Sequence, residues 1–170
     1  SRLIGNEYVL KYSHHKINAI VSDEDVYSGF GWLVRIIYLS IKLCVESSEF
    51  EKVKSFISIL TIQKVSVFER IKLAVYADLV GQDKYTREAW RFVKSAGFNF
   101  FWDGEYHKEA KLVLLALVEK GYQEKILDAL VHTYRNDADK NHEKVMLGGF
   151  IDKVISGVGF KKKEYQVFIQ

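Results

Sequence analysis

The chain contains no proline in its 170 residues. Average usage of about 5% would place roughly 8 prolines in a chain of this length. Because proline breaks helix interiors, its absence favours helices that are joined by short glycine and polar turns. An apolar fraction of 48% and a single cysteine exclude a disordered tail and a disulfide scaffold. The length fits one domain or a short run of helical repeats.

Apolar residues recur at helical spacing through most of the chain, and capping residues and glycines divide them into pairs of helices. Ser66 opens a capping box at the start of a helix that Gly81 is predicted to end. Thr86 is predicted to cap the shorter partner of this helix. Asp103 is predicted to cap the first helix of the next pair, which ends at Gly121.

The predicted first helices of successive pairs begin about 37 residues apart. The pairs lie near 29–62, 66–96, 103–135 and 141–156. A period of this size is typical of stacked antiparallel helix pairs, in which neighbours supply the core that no single pair can form. We therefore predict an all-α fold over 28–156, as a fragment of a HEAT- or TPR-like α-solenoid, and a helical bundle without repeats is the alternative. Residues 1–27 are predicted to be partly irregular, and 157–170 to be a tail or a truncated element.

The most apolar run of the chain spans 32–45 and is interrupted only by Arg35, Ser40 and Lys42. It has 14 residues, whereas a membrane-spanning helix needs roughly 20. The run is therefore predicted to be a buried core helix, with Cys44 in the core. No signal sequence and no initiator methionine stand at the start, so we expect a cytoplasmic protein, outside the membrane, of which this chain is one piece.

The five histidines of the chain are not spaced as metal ligands. His142 and Glu143 begin a zinc-binding helix motif, but Met146 stands where its second histidine belongs. The sequence has no Gly-x-Ser-x-Gly nucleophile turn and no glycine-rich phosphate loop. We therefore predict no metal site, no cofactor and no enzyme activity.

A turn at 98–106 carries five aromatic rings in nine residues. One interpretation, preferred for Phe98, Phe101 and Tyr106, is that the rings fill the joint between two helix pairs. The other is that exposed rings anchor a protein partner, and Trp102 is the ring expected to be exposed. The candidate partner-binding residues are Phe100, Trp102 and His107.

Three segments occur in the order FERIKL at 68–73, FWDGEYHKE at 101–109 and QEKIL at 123–127. This order resembles the C-terminal helical-repeat region of large bacterial antiviral defence proteins, namely the STAND NTPases called Avs and sirtuin-domain relatives. The resemblance implies a sensor or scaffold region that binds a partner such as a viral protein, while a separate domain does the chemistry. No residue-level role transfers with the resemblance, because the matching residues are expected to be architectural. Asp103 is predicted to cap its helix, and Arg70 to pair with Asp103 or Glu109.

These observations together predict a non-catalytic scaffold or sensor module that binds a protein partner. One alternative is a small cytosolic enzyme in which His107 works with Asp103 or Glu109 as acid and base in a deep pocket. Another is a nucleic-acid-binding helical repeat, which would gather lysines and arginines along one concave face. A net charge of only +3 makes nucleic acid the less favoured partner. The sequence predicts no particular oligomeric state.

Overall fold

A computed structural model of the chain describes residues 20, 29–62, 66–96, 98–102, 107–135, 147–152 and 154. Within these ranges every regular element is helical and seven helices pack antiparallel, which confirms the predicted all-α fold. The helices are α1 (Gly29–Glu46), α2 (Phe50–Ile62), α3 (Ser66–Gly81), α4 (Thr86–Ser95), α5 (Asn99–Trp102), α6 (His107–Leu117) and α7 (Gln123–Arg135). The segment Val118–Tyr122 connects α6 to α7, and its backbone leaves the helical conformation at Lys120 and Gly121. Residues 147–152 and 154 are also helical.

The central helix of the described fold is α3. Both α1 and α6 pack against it, and the contact between α3 and α6 is more extensive than that between any other two described elements. A helix that is apolar on nearly every face is stable only when it is surrounded by other elements. The buried side chains of α3 are those of Val67, Arg70, Ile71, Lys72, Leu73, Ala74, Val75, Tyr76, Leu79 and Val80.

The order of a first helix, a turn and a second helix occurs three times, in α1–α2, α3–α4 and α6–α7. Among the first helices, α1 and α6 both contact α3. The helix α3 begins at Ser66, where the sequence predicts a helix start. The capping role of Ser66 stays a prediction, because its side chain and the residue before it lie outside the described residues. The predicted cap Asp103 also lies outside them, as do residues 136–146, which include the start of the predicted fourth pair.

Each turn between a first helix and its second contains a residue in the left-handed backbone conformation. These residues are Ser48 (φ 58°), Asp83 (φ 58°) and Gly121 (φ 83°). At the second turn the amide of Lys84 donates to the carbonyl of Leu79 over 2.9 Å, which closes the hydrogen-bonded ring of a Schellman motif. The turn at Gly121 was predicted from the sequence, whereas serine and aspartate seldom adopt this conformation and give no comparable signal.

Two residues that were predicted to end or to cap a helix have other roles in the structure. Gly81 is the last helical residue of α3, and the left-handed residue that reverses the chain is Asp83, two positions later. Thr86 is the first helical residue of α4, and the N-cap position belongs to Tyr85, which makes no side-chain capping hydrogen bond. Tyr85 is itself left-handed (φ 53°), so it turns the chain into the helix one residue before the predicted cap.

We expect Gly121→Ala to lower the free energy of unfolding by about 1 kcal/mol, because an L-residue is strained at positive φ. The matched control is Gly81→Ala, at a helical position where alanine should raise stability by about 0.5–1 kcal/mol. At both glycines a Cβ atom would have no neighbouring atom within 4 Å, so backbone conformation alone separates the two variants. Urea denaturation measures both, and effects of equal sign would contradict the left-handed turn.

Candidate functional site

A buried ion pair joins α3 to α6. The Arg70 guanidinium donates from Nη2 to Oε1 of Glu109 over 2.9 Å and from Nε to Oε2 over 3.1 Å. The two side chains are 1% and 0% exposed. The amide of Ile20 donates to the same Oε1 over 2.8 Å. Of the two partners predicted for Arg70, the structure therefore confirms Glu109.

This ion pair removes Glu109 as a candidate acid or base of the enzyme hypothesis. An acid or base must reach its substrate, but the Glu109 carboxylate is fully buried and already accepts three hydrogen bonds. The other two groups of that hypothesis, Asp103 and the side chain of His107, lie outside the described residues. Within the described ranges no three His, Cys, Asp or Glu side chains are grouped so that they could hold a metal ion.

We expect Glu109→Ala to lower the free energy of unfolding by about 3–5 kcal/mol, because it leaves a buried guanidinium without its carboxylate. The matched control is Glu49→Ala, since Glu49 forms an exposed ion pair with Lys52 over 2.8 Å. Exposed pairs contribute little to stability, so this variant should unfold like the parent chain. Chemical denaturation compares them, and a loss of similar size in both variants would contradict the importance of the buried pair.

The aromatic turn belongs to the core. Phe98 is 5% exposed and Phe101 is 1% exposed, which confirms that these two rings fill the joint between helix pairs. The Phe101 ring meets Phe150 edge-on with the ring centroids 5.2 Å apart. The third ring predicted to fill the joint, Tyr106, lies outside the described residues.

The candidate partner-binding rings of this turn are half-buried. Trp102 was expected to be exposed, but it packs against the core and meets Phe101 edge-on at 4.9 Å. Phe100 packs against Phe92 with the ring centroids 5.8 Å apart. Both rings lie on the short helix α5, which packs against α6 and so holds them against the fold. The two rings contact different neighbours, and the side chain of the third candidate, His107, lies outside the described residues.

The largest group of exposed apolar side chains in the described ranges lies on α1. Five large apolar side chains of this helix are between 39% and 62% exposed, and we call them the outer seam. The outer seam consists of Trp32, Leu33, Ile36, Leu39 and Leu43. This corrects the prediction that 32–45 forms a buried core helix, and Cys44 is likewise half-buried. None of the described helices is long and apolar enough to cross a membrane.

The residue spacing in α1 explains why the outer seam was missed. The buried row is Val34, Tyr38, Ile41 and Val45. The exposed row from residue 32 to residue 43 has the same steps of four, three and four residues. A shift of two residues turns the side chains by about 200°, so the two rows lie on opposite faces of α1. Since both faces are apolar, the sequence predicted burial on both, but in the described fold only the inner row is covered.

The second helix of this hairpin also exposes apolar side chains. Phe56, Ile59 and Ile62 of α2 are 37%, 55% and 72% exposed. The inner side of α2 is covered, because Val53 and Leu60 are buried. The first helix pair therefore carries most of the large exposed apolar side chains that the described residues contain.

A groove of ≈ 470 Å³ lies between α1, α3 and α6. Its lining includes Tyr38, Lys42, Ala77, Asp78, Leu112 and Glu119. The hydroxyl of Tyr38 donates to Oδ2 of Asp78 over 2.9 Å. Burial raises the pKa of the Asp78 carboxyl, while this hydrogen bond and the charge of Lys42 act in the opposite direction. Because the groove carries charges of both signs, it is not the basic face that the nucleic-acid alternative requires.

We expect Tyr38→Phe to lower the free energy of unfolding by about 1–2 kcal/mol at neutral pH, because it removes a donor to a partly buried carboxylate. Asp78→Asn keeps an acceptor and removes the charge, so Tyr38→Phe should cost less in that background. A double-mutant cycle by urea denaturation measures the coupling, and additive effects would contradict the hydrogen bond.

Asp78 also predicts a pH dependence of stability. Its pKa in the folded chain lies above the ordinary value of 3.8, so the folded chain keeps the proton to a higher pH than the unfolded chain. The stability that this group contributes is complete below pH 3.8 and is lost as the pH rises through the folded-state pKa. As the pH rises from acidic to neutral, the stability of Asp78→Asn should therefore increase relative to that of the parent chain. Thermal melts of both chains at several pH values measure this effect. A difference in melting temperature between the two chains that stays the same at every pH would contradict the expectation.

The chain matches no protein-family model, no curated protein and no solved structure. The resemblance to antiviral defence proteins therefore stays a prediction. What the chain does must be inferred from its own surfaces.

Proposed function

We propose that this chain is a non-catalytic, protein-binding helical module that serves as a scaffold or sensor region of a larger protein. The observation that carries the proposal is the outer seam, whose side chains are 39% to 62% exposed on one helix. At about 200 Å² for each large side chain, half exposure of five such residues presents about 500 Å² of apolar surface. A patch of this size is at the upper end of what monomeric proteins expose, and such patches are often interaction sites.

The composition of the outer seam favours a protein partner. Tryptophan is over-represented among the residues that dominate binding energy in protein interfaces, and Trp32 stands at one end of the row. Ile36, Leu39 and Leu43 continue the row without a charged residue, so a partner can cover it without burying an unpaired charge. Binding would depend on shape complementarity and the hydrophobic effect, and no turnover is needed.

Other observations weigh against the two alternatives. The enzyme alternative loses Glu109, whose carboxylate is held inside the fold by Arg70. The nucleic-acid alternative requires a basic face, but Asp78 and Glu119 line the groove together with Lys42. A viral protein as the partner is supported by the sequence resemblance alone. The proposal includes a reducing, cytoplasmic setting, which the single cysteine of the chain supports.

The proposal can be tested by placing a photo-crosslinking amino acid at Leu43 in cells that make the protein. Leu43 is the most exposed residue of the outer seam, so we expect a discrete crosslinked protein adduct. The matched control position is Arg91, which is exposed on α4 away from the outer seam. An adduct that forms at Leu43 and also disappears in an Ile36→Asp chain would support the proposal. Absence of an adduct, or an identical adduct at Arg91, would contradict it.

A further inference from the structure

We infer that the outer seam of α1 is a self-association surface, and that the partner covering it is a second copy of this chain. This inference rests on the proposed function and names the partner of the same surface. It follows from the spacing of the outer seam, its area and its surrounding charges.

The spacing of the outer seam is that of a coiled-coil interface. Trp32, Ile36, Leu39 and Leu43 are separated by four, three and four residues, which places them at alternating a and d positions of a heptad. A helix that packs into such a seam must present a row of the same kind. Among the described residues, the row with this spacing that is exposed is the one on α1 itself. In a two-fold dimer each copy presents the same patch, so one seam is sufficient for both.

The area of the outer seam agrees with a small dimer interface. About 500 Å² from each copy makes a total of about 1,000 Å², which is the lower limit for a specific protein interface. Phe56 and Ile59 on α2, the second helix of the same hairpin, are exposed as well. We therefore expect a reversible dimer whose population depends on protein concentration.

The positions that flank the outer seam do not oppose self-association. Beside the row of a and d positions, one side carries Leu33, which belongs to the outer seam, and Ser40, and neither residue is charged. On the other side Arg35 is only 8% exposed, and Lys42 is half-buried in the wall of the groove beside Asp78. Two copies can therefore meet along the seam without placing exposed charges of the same sign in its centre.

The experiment is sedimentation equilibrium of the full 170-residue chain over a roughly hundredfold range of concentration. We expect a monomer–dimer equilibrium whose dissociation constant rises at least about tenfold in Leu39→Glu. The matched control is Leu112→Glu, because Leu112 on α6 is 38% exposed and Leu39 is 39% exposed. The control should dimerise like the parent chain. Circular dichroism melts show whether each variant is folded, and Ile36→Glu replaces Leu39→Glu if the latter unfolds.

Two results would overturn the inference: a parent chain that stays monomeric at every concentration, or a dimer that neither seam variant weakens. The crosslinking experiment separates this failure from failure of the proposed function. A monomeric chain that gives a seam-dependent adduct with a different protein would overturn self-association and leave the protein-binding function standing. A chain with no seam-dependent adduct and no dimer would overturn both.

Discussion

The ion pair between Arg70 and Glu109 is the contact on which the described helix stack depends. Removing two charges from water is costly, and the cost is offset only when the geometry is good and the remaining hydrogen-bonding capacity is used. Here the guanidinium and the carboxylate form two parallel hydrogen bonds, and the amide of Ile20 supplies a third to the carboxylate. A shift of α6 along α3 would leave both charges buried without their partner. The pair therefore specifies how α3 and α6 align. These two helices make the most extensive contact of the fold.

The two faces of α1 have different surroundings. Its inner row packs on the central helices, and Tyr38 adds a hydrogen bond to Asp78 of α3. Its outer seam presents large apolar side chains to solvent, with Trp32 55% exposed and Leu43 62% exposed. In a single chain, α1 is thus buried on one face and exposed on the other. The proposed binding function depends on this incomplete burial, because the candidate binding rings of the aromatic turn, Phe100 and Trp102, pack against the core.

Several parts of the fold follow from local sequence rules. The helical periodicity and the capping box predicted a helix that begins at Ser66, and the glycine signal predicted the turn at Gly121. The turns at Ser48 and Asp83 were not predictable, because these residues adopt the left-handed conformation only when the packed helices on both sides require it. Similarly, the position of Trp102 could not be predicted, since an aromatic residue serves equally in a core and in an interface.

The sequence by itself determined the all-α character of this protein, the rhythm of its helix pairs and the apolar nature of α1, because these depend on residue spacing along the chain. Only the tertiary structure decided that Glu109 is the partner of Arg70, since the distance between two helices is a property of their packing. It also decided which face of α1 is buried. The rows that include Val34 and Ile36 have the same spacing and the same hydrophobic character, so only the arrangement of neighbouring helices distinguishes them.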